Sequence, residues 1–135
     1  MNDQFTTEDR NALIAYRIER SEESVNEAAA MIKNKFFNAA INRLYYACYY
    51  ITIALFLKNE INAQTHSGVK TLLGLHFINT GKLPIHIGKT FATLYEKRQS
   101  GDYDDFFYCD AEMADDLFAK ANEYIDAIKN LIQQP

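Results

Sequence analysis

Arg98 stands where an apolar residue is expected. Ile87, Phe91 and Leu94 recur at helical spacing, and Arg98 takes the next step of their stripe. An inward guanidinium needs a carboxylate, phosphate or carbonyl to meet it, because an unpaired buried charge is costly. The segment that follows, Gln99-Ser100-Gly101-Asp102-Tyr103-Asp104-Asp105, offers carboxylates and phenols. Arginine also presents a rigid fork that suits a phosphate or a carboxylate. Arg98, Asp102 and Tyr103 are therefore one candidate constellation. The structural alternative is an ion pair from Arg98 to Asp102 or Asp104 that fixes a helix end.

A second constellation lies upstream. Asn42, Tyr45 and Tyr49 share one face of a predicted helix, and Arg43, Tyr46 and Tyr50 share the adjacent face. Asn42, Arg43, Tyr45 and Tyr46 thus make a polar, aromatic band on an otherwise apolar helix. An arginine within one turn of a tyrosine can bind a phosphate while the ring packs a base or sugar. For Arg43 with Tyr46, binding and packing stand as equal readings. Tyr49 and Tyr50 are expected to be core residues with their hydroxyls at the edge.

The histidines are scattered. His66 sits in Thr65-His66-Ser67 at a predicted helix N-terminus, where backbone N–H groups attract anions; its alternative is a capping role. His76 is expected at the edge of the core and His86 on the surface. None has metal-ligand spacing with another histidine or a nearby cysteine, so neither metal nor cofactor is expected. Glycine-rich phosphate loops, nucleophile elbows and paired-carboxylate signatures are absent from the sequence.

These residues have to be positioned by helices. Glycine and proline are scarce, with five and two in 135 residues. A first helix is predicted from Thr7 to Lys33, with Thr6 and Thr7 ahead of Glu8 and Asp9 as its start signal. Its stripe is Ile14, Ile18, Ser21, Val25, Ala28 and Ile32. A second spans Phe36 to Asn59, with Phe37, Ile41, Leu44, Cys48, Ile51 and Leu55 in line. Ala40, Ala47 and Ala54 add apolar surface on its other faces, which marks it as the central helix. A third runs from His66 to Thr80 with Val69, Leu72, Leu73, His76 and Phe77 inward, and Gly81 ends it. Pro84 opens a fourth, and Gly101 closes it as a left-handed cap. Phe106, Phe107 and Tyr108 are expected to fold a loop onto the bundle. Asp110 caps a last helix with the stripe Ala114, Leu117, Ala121, Tyr124, Ile128, Leu131. Short turns favour antiparallel neighbours, so the expected fold is an all-α, up-down bundle of four to five helices in one domain over residues 1–135.

Composition narrows the function classes. Hydrophobic residues make up 48% of the chain, a normal globular share. The formal charge of −4 argues against non-specific duplex DNA binding, which relies on a dense basic surface. It leaves room for a small basic pocket for one nucleotide or an RNA end. Cys48 and Cys109 form no disulfide framework and read as reduced thiols. The polar, acidic N-terminus predicts no secretory leader. The apolar run from Leu44 to Leu57 is too short for a bilayer. A cytoplasmic protein without a membrane partner is expected.

Four segments together carry a family resemblance: Asn42-Arg43-Leu44-Tyr45-Tyr46-Ala47, Thr65-His66-Ser67-Gly68-Val69, Gly81-Lys82-Leu83-Pro84, and Arg98 to Asp104. In order and spacing they resemble the HEPN superfamily, and within it the small stand-alone branch related to toxin-antitoxin proteins. The resemblance covers the chain from about Ser24 to Ile132. It implies a bundle of four or five helices, a homodimer, and a minimal nucleotidyltransferase as partner in a toxin-antitoxin or stress and defence system. Catalytic members are metal-independent endoribonucleases with an Arg followed, after four to six residues, by a His. Arg98 matches the Arg; Tyr103, Asp104 and Asp105 occupy the places of the His, and Asp102-Tyr103 matches the Asp-Tyr typical of the branch.

The expectation is thus a HEPN-type module that binds a nucleotide, RNA or a nucleotidyltransferase through Asn42, Arg43, Tyr46, Arg98, Asp102 and Tyr103, without the usual nuclease histidine. One alternative is an endoribonuclease toxin with a modified Arg-Asp-Tyr motif, its catalytic candidates being Arg98, Asp102, Tyr103 and His66. The other is a dimeric structural scaffold.

Overall fold

Local signals start the first helix where the sequence places them. The Thr6 hydroxyl accepts the Asp9 N–H at 3.0 Å, and the Asp9 carboxylate accepts the Thr6 N–H at 3.1 Å, a reciprocal cap. The computed structural model describes residues 5–103 and 108–135, and of residues 100–103 it describes the backbone. Within it run α1 (Thr7–Lys33), α2 (Phe37–Lys58), α3 (His66–Leu73), a π-helical turn (Gly74–Ile78), α4 (Ile85–Tyr103) and α5 (Ala111–Gln133). The architecture is all-α, with no strand among the described residues. Lys35, in the left-handed region at φ 67°, helps reverse the chain between α1 and α2 within three residues.

α2 is the central helix. Ile41, Leu44, Cys48, Ile51 and Leu55 are at most 1% exposed, and Ala40, Ala47 and Ala54 are fully buried on its other faces. α1, α4 and α5 pack around it. Small residues let α1 approach closely: Ser21, Ser24 and Ala28 are fully buried, and the Ser21 hydroxyl donates to the Ala47 carbonyl at 2.7 Å. α2 is 22 residues long and apolar enough to pass the length and hydropathy test for a membrane span, beyond the shorter run read from the sequence. Its most apolar window is 61% buried, as befits the core helix of a bundle. On its α5 side, the fully buried Tyr124 places its hydroxyl 2.6 Å from Thr52 Oγ1, and Thr52 donates to the Cys48 carbonyl at 2.7 Å.

Thr65 caps α3, its hydroxyl accepting the Gly68 N–H at 2.9 Å. The π turn that follows closes with the Asn79 N–H on the Gly74 carbonyl at 2.8 Å. A five-residue ring shifts the phase of the helix. It buries Phe77 and leaves His76 exposed, so His76 does not face inward as its place in the stripe suggests. Gly81, at φ 79°, ends the segment. Gly88 then lets α4 pass against the π turn: a Cβ there would lie 2.4 Å from Ile78 Cδ1. Gly88→Ala should cost about 1–3 kcal/mol of unfolding free energy, as overpacking does. In a urea-denaturation double-mutant cycle, Gly88→Ala and Ile78→Ala together should cost less than the sum of the two.

Two expectations about the end of α4 are corrected. The helix continues through Gly101 to Tyr103, so Gly101 is a helical residue and Asp102 and Tyr103 lie on its last turn. A glycine weakens a helix by only about 0.5–1 kcal/mol relative to alanine and does not by itself stop one. Tyr108 is 74% exposed and does not pack on the bundle. The connection is instead anchored by Cys109, which is buried and whose N–H donates to Asn38 Oδ1 at 3.1 Å. Phe106 and Phe107 lie outside the described residues. Asp110 caps α5 by accepting the Met113 N–H at 2.9 Å. Cys48 and Cys109 are both free thiols.

Candidate functional site

The i, i+3, i+4 spacing of α2 stacks Tyr45, Tyr46, Tyr49 and Tyr50 along neighbouring faces. Tyr45 turns into the core and is fully buried, packed against Phe91 of α4 with ring centroids 5.6 Å apart. Tyr46, Tyr49 and Tyr50 stay half-buried. Tyr49 packs on the edge of the core as expected, while Tyr50, half-buried beside it, is packed instead by Tyr49 and by arginines of α1. One helical step rotates a side chain by about 100°, which is enough to bury Tyr45 while leaving its neighbours at the rim.

Arg98 comes from α4 onto this platform. Its Cζ lies 5.0 Å from the Tyr45 ring centroid and 5.6 Å from that of Tyr46. Arg43 approaches the same Tyr46 ring from α2 itself, Cζ to centroid 5.2 Å. Tyr46 is thus flanked by two guanidinium groups, a cation–π arrangement on each. Arg43 donates to Asn42 Oδ1 at 3.0 Å and reaches Glu27 Oε1 at 3.4 Å. Asn42, Arg43 and Arg98 line one hollow of about 310 Å³, together with Asn38 and Lys97. Three cationic side chains and two amides around one concavity can accept a phosphate or a carboxylate.

His66, the first residue of α3, closes the other side. Its ring lies flat on Tyr49, centroids 4.4 Å apart at 10°, and its Nδ1 is 2.6 Å from the Tyr45 hydroxyl. Burial raises the Tyr45 phenol well above its ordinary range, with Arg98 pulling the other way. Burial also lowers His66 from its usual 6.5, and the charge of Arg98 adds to that. A protonated phenol beside a neutral imidazole favours donation from Tyr45 to Nδ1, which leaves the proton on Nε2.

The lowered His66 has a thermodynamic sign. The unfolded side chain takes a proton more readily than the folded one. The stability it contributes is full above 6.5 and is lost as pH falls through that value toward the lower folded pKa. The urea midpoint should drop between about pH 7.5 and about pH 5.5, and drop less in His66→Gln. Equal drops in the two proteins would assign the effect to other groups.

Of the residues singled out in the sequence, Asn42, Arg43, Tyr46 and Arg98 come together, and His66 joins them through Tyr45 and Tyr49. The backbones of Asp102 and Tyr103 lie one turn beyond Arg98, while their side chains, and all of Asp104 and Asp105, lie outside the described residues. His76 and His86 are exposed and stand apart. Among the described residues no group of three potential ligands could hold a metal ion. The ring platform of Tyr45 and Tyr49 under His66 was not foreseen, although their four-residue spacing was its signal. Lys97 gave no signal of its own.

A family model described as the HEPN domain matches residues 14–131. A UPF0332 protein of Thermotoga maritima is 33% identical over 125 residues, covering 93% of this chain and 95% of that protein. Two Methanocaldococcus jannaschii proteins named as candidate toxins are each 30% identical. One aligns over 115 residues, 85% of this chain and 78% of its own length. The other aligns over 117, 87% of each.

Proposed function

The chain belongs to the HEPN domain family, and from that premise we propose that it binds a phosphate-bearing ligand, a nucleotide or an RNA segment, within a toxin-antitoxin or related system. Asn42, Arg43, Tyr46 and Arg98 hold the ligand, and Asp102 and Tyr103 adjoin it on the last turn of α4. The observation that carries this reading is the Tyr46 ring between two guanidinium groups that line a common hollow. In a chain of net charge −4, such a concentration of arginine has to be local and specific. The relatives named as candidate toxins support the system-level part. A homodimer and a nucleotidyltransferase partner belong to the same proposal.

The test is direct. Titration calorimetry with a 5′-phosphorylated ribonucleotide, at low and at physiological salt, should give one saturable site whose affinity weakens with salt. Binding of the free nucleoside with equal affinity would remove the phosphate from the proposal.

A second reading is favoured by the place of His66. A neutral imidazole held by Tyr45 near Arg98 has the parts for proton transfer beside a bound phosphate. In this reading the protein cleaves RNA without added metal: water takes the 2′-proton, the 2′-oxygen attacks phosphorus, and the P–O5′ bond breaks as the imidazolium form of His66 gives its Nε2 proton to the departing 5′-oxygen and returns to the neutral ring. RNA cleavage in chelator that survives His66→Ala would exclude it.

A further inference from the structure

Arg17 is a guanidinium set among aromatic rings. Its Cζ lies 5.7 Å from the Tyr16 ring centroid and 5.8 Å from that of Tyr50. It makes no ion pair among the described residues, and its buried Nε–H has no acceptor there. Arg20, one turn on, lies over the same Tyr50 ring at 5.2 Å and pairs with Glu23 at 2.6 Å. Tyr50 in turn is 5.9 Å from Tyr46, the ring flanked by Arg43 and Arg98. Tyr49 lies 6.1 Å from Tyr46 and 6.0 Å from Tyr50. An arginine and tyrosine band therefore runs unbroken along α1 and α2, from Arg98 and Arg43 at one end to Arg17 and Arg20 at the other.

Arg43 and Tyr50 are seven residues apart on α2, about 10 Å along its axis. One phosphate cannot touch both ends of such a band. A ligand that satisfies both needs phosphates spaced along a backbone, and the half-buried rings between them suit planar groups. Guanidinium clusters separated by stackable rings are the chemistry of a single strand, whose bases have free faces. A duplex hides those faces. It would also set a second row of phosphates against the carboxylates that flank the band on α1, Glu23 beside Arg20 and Glu27 beside Arg43.

We propose that this band is a track for single-stranded polynucleotide, with Arg17 and Tyr50 as its second anchoring point. The inference rests on phosphate recognition at Arg43 and Arg98 and extends it. RNA and single-stranded DNA share the chemistry, and the two probes below separate them.

The experiment is fluorescence anisotropy on the full chain with labelled uridine and thymidine oligomers from one to about ten nucleotides, lengths within the reach of one single-strand-binding domain. Affinity should rise with length. Arg17→Ala should weaken the longest oligomers about tenfold and lower the salt slope by about one, leaving uridine monophosphate binding unchanged. Arg17→Lys should keep the salt slope and lose part of the affinity. Equal affinity for monophosphate and decamer, or an Arg17→Ala protein that binds the decamer like wild type, overturns the track. Loss of a dimer by light scattering in Arg17→Ala, with oligomer binding intact, also overturns it and makes this face a contact between copies. If the decamer binds through Arg17 while monophosphate binding is absent and Arg43→Ala/Arg98→Ala is silent, the track stands and the Arg43–Arg98 reading falls.

Discussion

Alanine at both Arg43 and Arg98 should lower the affinity for a 5′-phosphorylated nucleotide by about a hundredfold or more. Each guanidinium–phosphate contact is a charge-assisted hydrogen bond worth about 1.5–3 kcal/mol, and two lost contacts multiply. The single variants should each lose about tenfold at least. Lysine at Arg98 keeps the charge but not the planar fork, and lysine does not stack on Tyr45 and Tyr46 as a guanidinium does, so it should fall between wild type and alanine. Glu27→Gln is the informative opposite. Glu27 competes for Arg43 at 3.4 Å, so neutralising it should tighten binding and steepen the salt dependence. Titration calorimetry of the five variants beside wild type checks all of this. If the double variant binds like wild type while its far-ultraviolet dichroism is intact, the hollow between α2 and α4 is not the binding site.

The largest effect on stability is expected at Tyr124. The side chain is fully buried, packs against Phe91 with centroids 6.0 Å apart, and donates its hydroxyl to Thr52 Oγ1, whose own proton goes to the Cys48 carbonyl. Tyr124→Ala removes the ring and should cost about 3–5 kcal/mol, as large-to-small changes at buried aromatics do. Tyr124→Phe removes the hydroxyl alone. Thr52 then keeps the Cys48 carbonyl as its acceptor, so the loss should be about 1 kcal/mol. Thr52→Val is the harsher half of the pair, because it strands a buried phenol and should cost about 1–3 kcal/mol. Thr52→Val with Tyr124→Phe should recover much of that loss, since no polar group is then left without a partner. Urea denaturation gives all four values. A double variant as unstable as the sum of its parts would mean that the hydroxyl pair does not act as a unit.

The helices were legible because their signals are local. Thr6 with Asp9 marks the start of α1, and Asp110 marks α5 within one turn of the chain. The α2 stripe follows from apolar spacing alone, and each of its members from Ile41 to Leu55 is buried. Arg98 and Tyr46 were recognisable because they break or decorate that pattern. Tyr45 and Tyr49 were harder, because a tyrosine on a core helix looks the same in sequence whether its hydroxyl meets water or a histidine 21 residues away. His76 was misplaced because a π turn changes the helical period without any residue that announces it. Gly101 was misread as a stop because glycine permits a left-handed cap without requiring one.

The helix that fills the centre of the bundle also carries the proposed recognition face, and this bears on the kinetics and entropy expected of binding. Tyr46, Tyr49 and Tyr50 lean on one another, on His66 and on arginines from α1, α2 and α4, so their rotamers are set before any ligand arrives. Immobilising a free side chain on binding costs about 0.5–1.5 kcal/mol, and here that ordering is already complete in the unliganded fold. A ligand bound on the α2 face should therefore meet a surface that is already ordered.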